Sequence, residues 1–109
     1  MKKSLLMLCM ALFSVATLSA QEKPYAVVFY NLENLFDIYN DPETHDDEFT
    51  PQGVKQWNQI RYEKKLWNME RVLFDIAAIQ KDYPIVIGVS EIENRKVLDD
   101  LVSQPKLRG

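Results

Sequence analysis

Two short β-branched runs with a long helical pattern between them limit what this chain can fold into. The first run is Tyr25 to Tyr30 and the second is Ile85 to Ser90. Each is apolar and short enough for a buried strand. From about Trp57 to Gln80, Tyr62, Leu66, Met69, Leu73, Ile76 and Ala77 recur at spacings of three and four, which places them on one helical stripe. Arg61, Lys64, Lys65, Glu70, Arg71 and Asp75 are assigned to the opposite, solvated face. A strand, a helix and a second strand in this order predict parallel neighbours joined by a right-handed crossover.

The intervening segments are less regular. A turn or a single helical turn is expected over Glu33 to Ile38, and a loop over Tyr39 to Pro51, where acids and prolines cluster without periodicity. Thr50-Pro51 fits the cap and first residue of a short helical turn, with Gly53 set against its continuing. Tyr83-Pro84 is expected to end the long helix. A second helix is predicted over Arg95 to Ser103, with Val97, Leu98, Leu101 and Val102 on its apolar side. The fold class is therefore α/β, a βαβα unit with no internal repeat.

The beginning of the chain is of a different kind. Lys2 and Lys3 precede the apolar stretch Leu5 to Val15, and small residues follow to Ala20. That is the plan of a secretory signal peptide over residues 1–20, cleaved before Gln21. The apolar run is short of the roughly 20 residues that a spanning helix needs, so no stable membrane anchor is expected after cleavage. Cys9 lacks the small residues upstream that lipidation would require, and no other cysteine exists to form a disulfide. Residues 21–109 would then carry 11 basic and 16 acidic residues, a formal charge of −5. Such a balance disfavours loose, charge-driven binding to nucleic acid or anionic lipid. It leaves open an enzyme that handles a phosphodiester through a metal ion.

Both predicted strands end on polar groups that are costly to bury unpartnered: Asn31 and Glu33 after the first, Glu91 after the second. In parallel α/β sheets, ligands bind at the carboxyl ends of the strands. Carboxylates gathered there repel each other unless a cation lies between them. Oxygen ligands of this kind suit a hard ion such as Mg²⁺, held by one or two carboxylates together with a substrate phosphate. Asn31 adds a neutral group that can orient a phosphate oxygen.

Tyr30-Asn31-Leu32-Glu33-Asn34-Leu35-Phe36-Asp37, followed by Gly88-Val89-Ser90-Glu91-Ile92-Glu93-Asn94, resembles the opening of the endonuclease/exonuclease/phosphatase superfamily, and is most similar to its secreted Bacteroidetes-type members. The resemblance implies the first βαβα portion of a two-sheet, four-layer α/β sandwich, with residues 21–109 as the N-terminal part of the domain. It implies that Glu91 is the principal metal ligand, Glu33 a second acidic ligand and Asn31 the phosphate- and site-orienting residue. The cofactor implied is Mg²⁺, with Mn²⁺ as its substitute. The substrate implied is a phosphoester in nucleic acid, a phospholipid head group or an inositol phosphate. The family's later Gly-Asp-x-Asn and Ser-Asp-His motifs do not occur in this sequence, and His45 is its only histidine. The expectation is a truncated reading frame whose product is inactive alone.

Several of these residues also have plainer roles. Acids at Glu91 and Glu93, with Asn94, favour the start of a following helix. Asn31 and Glu33 would suit a solvated turn. Asp41, Glu43, His45, Asp46, Asp47 and Glu48 match no defined calcium loop and read as a solvated acidic segment. The alternative function is a small exported binding or structural module whose acidic loop has some affinity for calcium. Arg61, Lys64 and Lys65 are within reach of a phosphate from the long helix but read more simply as a solvated face, with Tyr62 as core; Trp57 and Trp67 read as packing residues, with stacking on a ligand as the alternative for Trp57.

Overall fold

The structure, a computed structural model, describes residues 23–108. The signal peptide expected over residues 1–20 lies outside them. Among the described residues the order is β1 (Val27–Leu35), a 3₁₀ turn (Asp47–Phe49), α1 (Gln59–Gln80), β2 (Val86–Ile92) and α2 (Arg95–Val102). No helix among them is long and apolar enough to cross a membrane.

β1 and β2 pair in parallel, with Val27 opposite Val86 and Asn31 opposite Ser90. Beyond Asn31 the register slips, because Leu35 next pairs with Ile92. Three residues of β1 bulge out there against the single residue Glu91 of β2. The turn expected over Glu33 to Ile38 is therefore replaced by a bulged continuation of the strand. Leu32 and Leu35 explain the misreading: a spacing of three resembles a helical turn, yet the bulge sends both inward, and each is fully buried. Glu33 at φ 50° and Asn34 at φ 61° take up the excess chain in the left-handed region.

α1 begins two residues later than the periodicity indicates. The Asn58 side chain accepts the Arg61 amide as its N-cap. The helix ends at Gln80, as the periodicity predicts, with Lys81 rather than Tyr83-Pro84 as its stop: Lys81 adopts φ 59°, and its amide reaches the carbonyls of Ala77 and Ala78. Tyr62, Leu66, Met69, Leu73 and Ala77 are buried as the stripe predicts. Glu70, assigned to the solvated face, is only 2 % exposed, and its carboxylate accepts the Lys106 amide at 2.6 Å. The position lies one turn from both Leu66 and Leu73, so it borders the apolar stripe. Trp57 is buried, whereas Trp67 is half exposed beneath the Arg71 guanidinium.

The helices cover one face of the sheet, where Tyr30 and Val89 pack on the core. On the other face Val27, Phe29 and Val86 are open to solvent, and Phe29 is 85 % exposed. Its ring lies so close over Gly88 that a Cβ there would come within 2.7 Å. The strands are thus buried on one side only, which apolar runs alone do not distinguish from burial on both.

Candidate metal centre

The carboxyl ends of β1 and β2 lie side by side, and the site is built where their alternation breaks. Asn31 and its partner Ser90 share the sheet face away from the helices. Regular pleating would send Glu91 to the opposite face. Glu91 instead adopts φ 56°, and its carboxylate accepts a 2.9 Å hydrogen bond from the Asn31 amide. The orientation of that amide follows from its other contact. Asn31 Oδ1 accepts the Glu33 backbone N–H at 2.7 Å, leaving the NH₂ group to face Glu91.

Glu33 stands on the bulge next to this pair. Lys65 of α1 reaches the same place: its ammonium donates to the main-chain oxygens of Glu33 and Asn34. Burial holds this ammonium below its ordinary pKa, while the Glu33 and Glu91 carboxylates pull it back up. Both acids therefore act on one half-buried cation. Three residues at the site, Glu33, Asn34 and Glu91, occupy the left-handed region that non-glycine residues enter at a cost of about 1 kcal/mol or more each. Such strain persists where surrounding contacts over-determine it. Here those contacts are Lys65, the Asn31 side chain and the buried Leu32 and Leu35.

A second carboxyl cluster fastens the acidic loop beneath the site. Glu93 accepts the Asp37 amide at 2.9 Å and returns its own amide to the Leu35 carbonyl at 3.1 Å. Asp37 in turn accepts the Tyr39 amide at 2.8 Å and the Asn94 side chain at 3.3 Å. Burial pushes the Glu93 carboxyl up to about 7; the Asp37 amide opposes this, and the Asp37 and Asp46 carboxylates add to it. Asp46 is 1 % exposed, and its Oδ1 lacks a donor among the described residues. Asn94 caps α2 by accepting the Val97 amide at 3.1 Å, the plainer role foreseen for it.

The loop's acids are largely occupied by the loop itself. Asp41 accepts the Glu43 amide at 2.9 Å, and Asp46 accepts the Asp41 amide at 2.9 Å. Asp47 accepts the Asn40 side chain at 2.7 Å, and Glu48 pairs with Lys55. Thr50 ends the 3₁₀ turn rather than starting a helix there. The stacked rings of Phe36 and Phe49, 4.2 Å apart, hold the loop to the end of β1, and the Trp57 indole donates to the Phe36 carbonyl at 2.9 Å.

Among the described residues no group of three or more His, Cys, Asp or Glu side chains is arranged to hold a metal ion. Glu91, Glu33 and Asn31 offer something smaller, two carboxylates and an amide at an exposed rim. Oxygen donors of this kind suit a hard divalent cation.

A model of the Endonuclease/Exonuclease/phosphatase family matches residues 26–109. The chain belongs to this family. The small parallel sheet with its two helices is consistent with part of that fold. Enzymes of the family generally use divalent metals, and membership suggests hydrolysis of phosphoester bonds. No curated protein and no solved structure matches the chain.

The sequence placed Lys65 on a solvated helix face, with reach to a phosphate as the alternative, and did not foresee its tie to the bulge of β1. It also missed the burial of Asp46 and the partial burial of Glu93. Lys65 sits one residue before the buried Leu66, so it flanks the stripe, a signal that was available. Asp46 lies in an aperiodic loop, where no spacing marks an inward residue.

Proposed function

We propose that this chain is the N-terminal part of an exported, Mg²⁺-dependent phosphoester hydrolase of endonuclease or phosphodiesterase type. The observation that carries this is the 2.9 Å hydrogen bond between Asn31 and Glu91 across the carboxyl ends of two parallel strands. Glu91 is the principal ligand of the ion and Glu33 contributes a second carboxylate, while Asn31 fixes the Glu91 carboxylate and is placed to orient a phosphate oxygen. When bound, the ion supplies Lewis-acid polarisation of the phosphoryl group and neutralises developing charge. The Lys65 ammonium limits the repulsion between the two acids.

A general base and a donor for the transition state are also required. The Gly-Asp-x-Asn and Ser-Asp-His segments that provide them in the family are not in this sequence, so the 109-residue chain is expected to bind the ion without turning over a phosphodiester. The secreted, Bacteroidetes-type character rests on the residues 1–20 pattern and on the motif resemblance. Nucleic acid, phospholipid head groups and inositol phosphates are the substrate classes in view.

Titration calorimetry with Mg²⁺ tests the proposal. Wild type should give a saturable heat, and Glu91→Gln, which keeps size and backbone, should lose at least tenfold in affinity. Equal affinity in the two proteins would remove Glu91 from the metal centre.

A further inference from the structure

Where β1 bulges and ends, the carbonyls of Glu33, Asn34, Leu35 and Phe36 require partners that a regular ladder would have supplied. The Leu35 carbonyl accepts the Glu93 amide of β2 at 3.1 Å. The other three turn to α1 and the residue before its cap. The Lys65 ammonium donates to the carbonyls of Glu33 and Asn34, the latter at 3.1 Å, and the Trp57 indole donates to that of Phe36 at 2.9 Å. The two donors support each other, because the ammonium lies 5.6 Å from the Trp57 ring centre.

For Glu33 the consequence is specific. Its amide is held by Asn31 Oδ1 at 2.7 Å and its carbonyl by Lys65, so the peptide groups on both sides of this residue are tied. Glu33 and Asn34 stand at φ 50° and 61°, a conformation that a residue with a Cβ leaves unless something holds it. Relaxation of φ would swing the Cα–Cβ bond, and the carboxylate with it, away from the rim where Glu91 and Asn31 meet. Arg61, one turn earlier, lies 5.5 Å from the same Trp57 ring but donates to the Lys55 carbonyl instead.

We infer that Lys65 is a positioning residue of the metal centre, whose ammonium holds the bulge in the left-handed form that aims Glu33 at the ion. The inference rests on the hydrolase reading above, and it adds a residue that touches neither the ion nor the substrate. The sign of its effect separates this role from that of a counter-charge. The Glu33 and Glu91 carboxylates both act on the ammonium, so as a charge alone Lys65 competes with the ion, and removing it would tighten Mg²⁺ binding. As a clamp it supports Glu33, and removing it weakens binding.

Calorimetric titration of the full chain with Mg²⁺ tests this. Lys65→Met should bind about tenfold more weakly than wild type, the loss expected when a ligand's outer support is removed. Lys65→Arg, which keeps the charge and the donors, should recover most of that loss. Arg61→Met removes a cation beside the same ring without touching the bulge, and should bind at least as tightly as wild type. In EDTA, exchange of the Glu33 amide followed by NMR reads the clamp with no ion present; it should be faster in Lys65→Met and restored in Lys65→Arg. Should Lys65→Met not fold, Trp57→Phe removes the donor to the Phe36 carbonyl without changing charge, and should also weaken Mg²⁺ binding. Equal or tighter binding by Lys65→Met overturns the inference, as does a loss that Lys65→Arg does not restore, unchanged exchange at Glu33, or, in the second case, equal binding by Trp57→Phe. Failure of the hydrolase reading looks different: wild type gives no saturable heat, or Glu91→Gln matches it, while exchange at Glu33 still responds to Lys65. That result also overturns the metal role of Lys65.

Discussion

Glu33 and Glu91 hold φ values of 50° and 56°, conformations that glycine would adopt without cost. A carboxylate at each of these strained positions points to a use for the side chain other than stability. Glu33→Gly keeps the amide that Asn31 accepts and removes only the strain and the carboxylate. It should raise the denaturant midpoint, by about 1 kcal/mol in unfolding free energy, and weaken Mg²⁺ binding in calorimetry. A loss of stability would show that the bulge is not strained at this position. Unchanged affinity would remove Glu33 from the ligand set. The acids themselves were legible in the sequence because both follow apolar runs. Their convergence was not, since period-two alternation assigns Asn31 and Glu91 to opposite faces, and a left-handed residue other than glycine leaves no mark in the pattern.

The helices are joined by a network that the sequence did not reveal. Tyr62 of α1 donates to Asp100 of α2 at 2.7 Å, and Lys96 donates to the same carboxylate at 2.5 Å. Burial pushes the Asp100 carboxyl up, but these two donors outweigh it and hold it below its ordinary value of 3.8. Burial and then Asp100 push the Tyr62 hydroxyl well up, so it remains a donor across the neutral range. A depressed carboxyl stabilises the fold above its unfolded pKa and loses that contribution as the pH falls through the folded one. The helical signal should therefore melt at progressively lower temperature as the pH is taken down from about 4, and Asp100→Asn should flatten this dependence. An acid limb of equal slope in the variant would assign the effect elsewhere. Tyr62 was read from its spacing as a core residue, which it is at 4 % exposure. Its hydroxyl partner lies 38 residues away on another element, beyond the reach of any local pattern. The order of strands and helices, by contrast, was legible because period and length act locally. The start of α1 moved by two residues, as capping by Asn58 overrode the weaker signal of Trp57, while its end at Gln80 was legible although a left-handed Lys81, not Tyr83-Pro84, closes it.

Across the whole molecule, the sheet is covered on one face and open on the other. On the open face Tyr25, Val27, Phe29 and Val86 are all more than half exposed. An apolar face of this kind, beside strand edges with free hydrogen-bonding groups, promotes self-association. Light scattering coupled to size exclusion should find the chain associated at micromolar concentration, with Phe29→Lys shifting it towards monomer. A monodisperse wild-type monomer would contradict this. The parallel pairing that exposes this face also sets Asn31 beside Glu91, and the functional account depends on that meeting. Diffraction from a crystal soaked in Mn²⁺ tests it most directly. An anomalous peak bonded to the Glu91 carboxylate, with Asn31 and Glu33 around it, is the result predicted; a peak elsewhere on the chain, with none at the joined ends of β1 and β2, would contradict it.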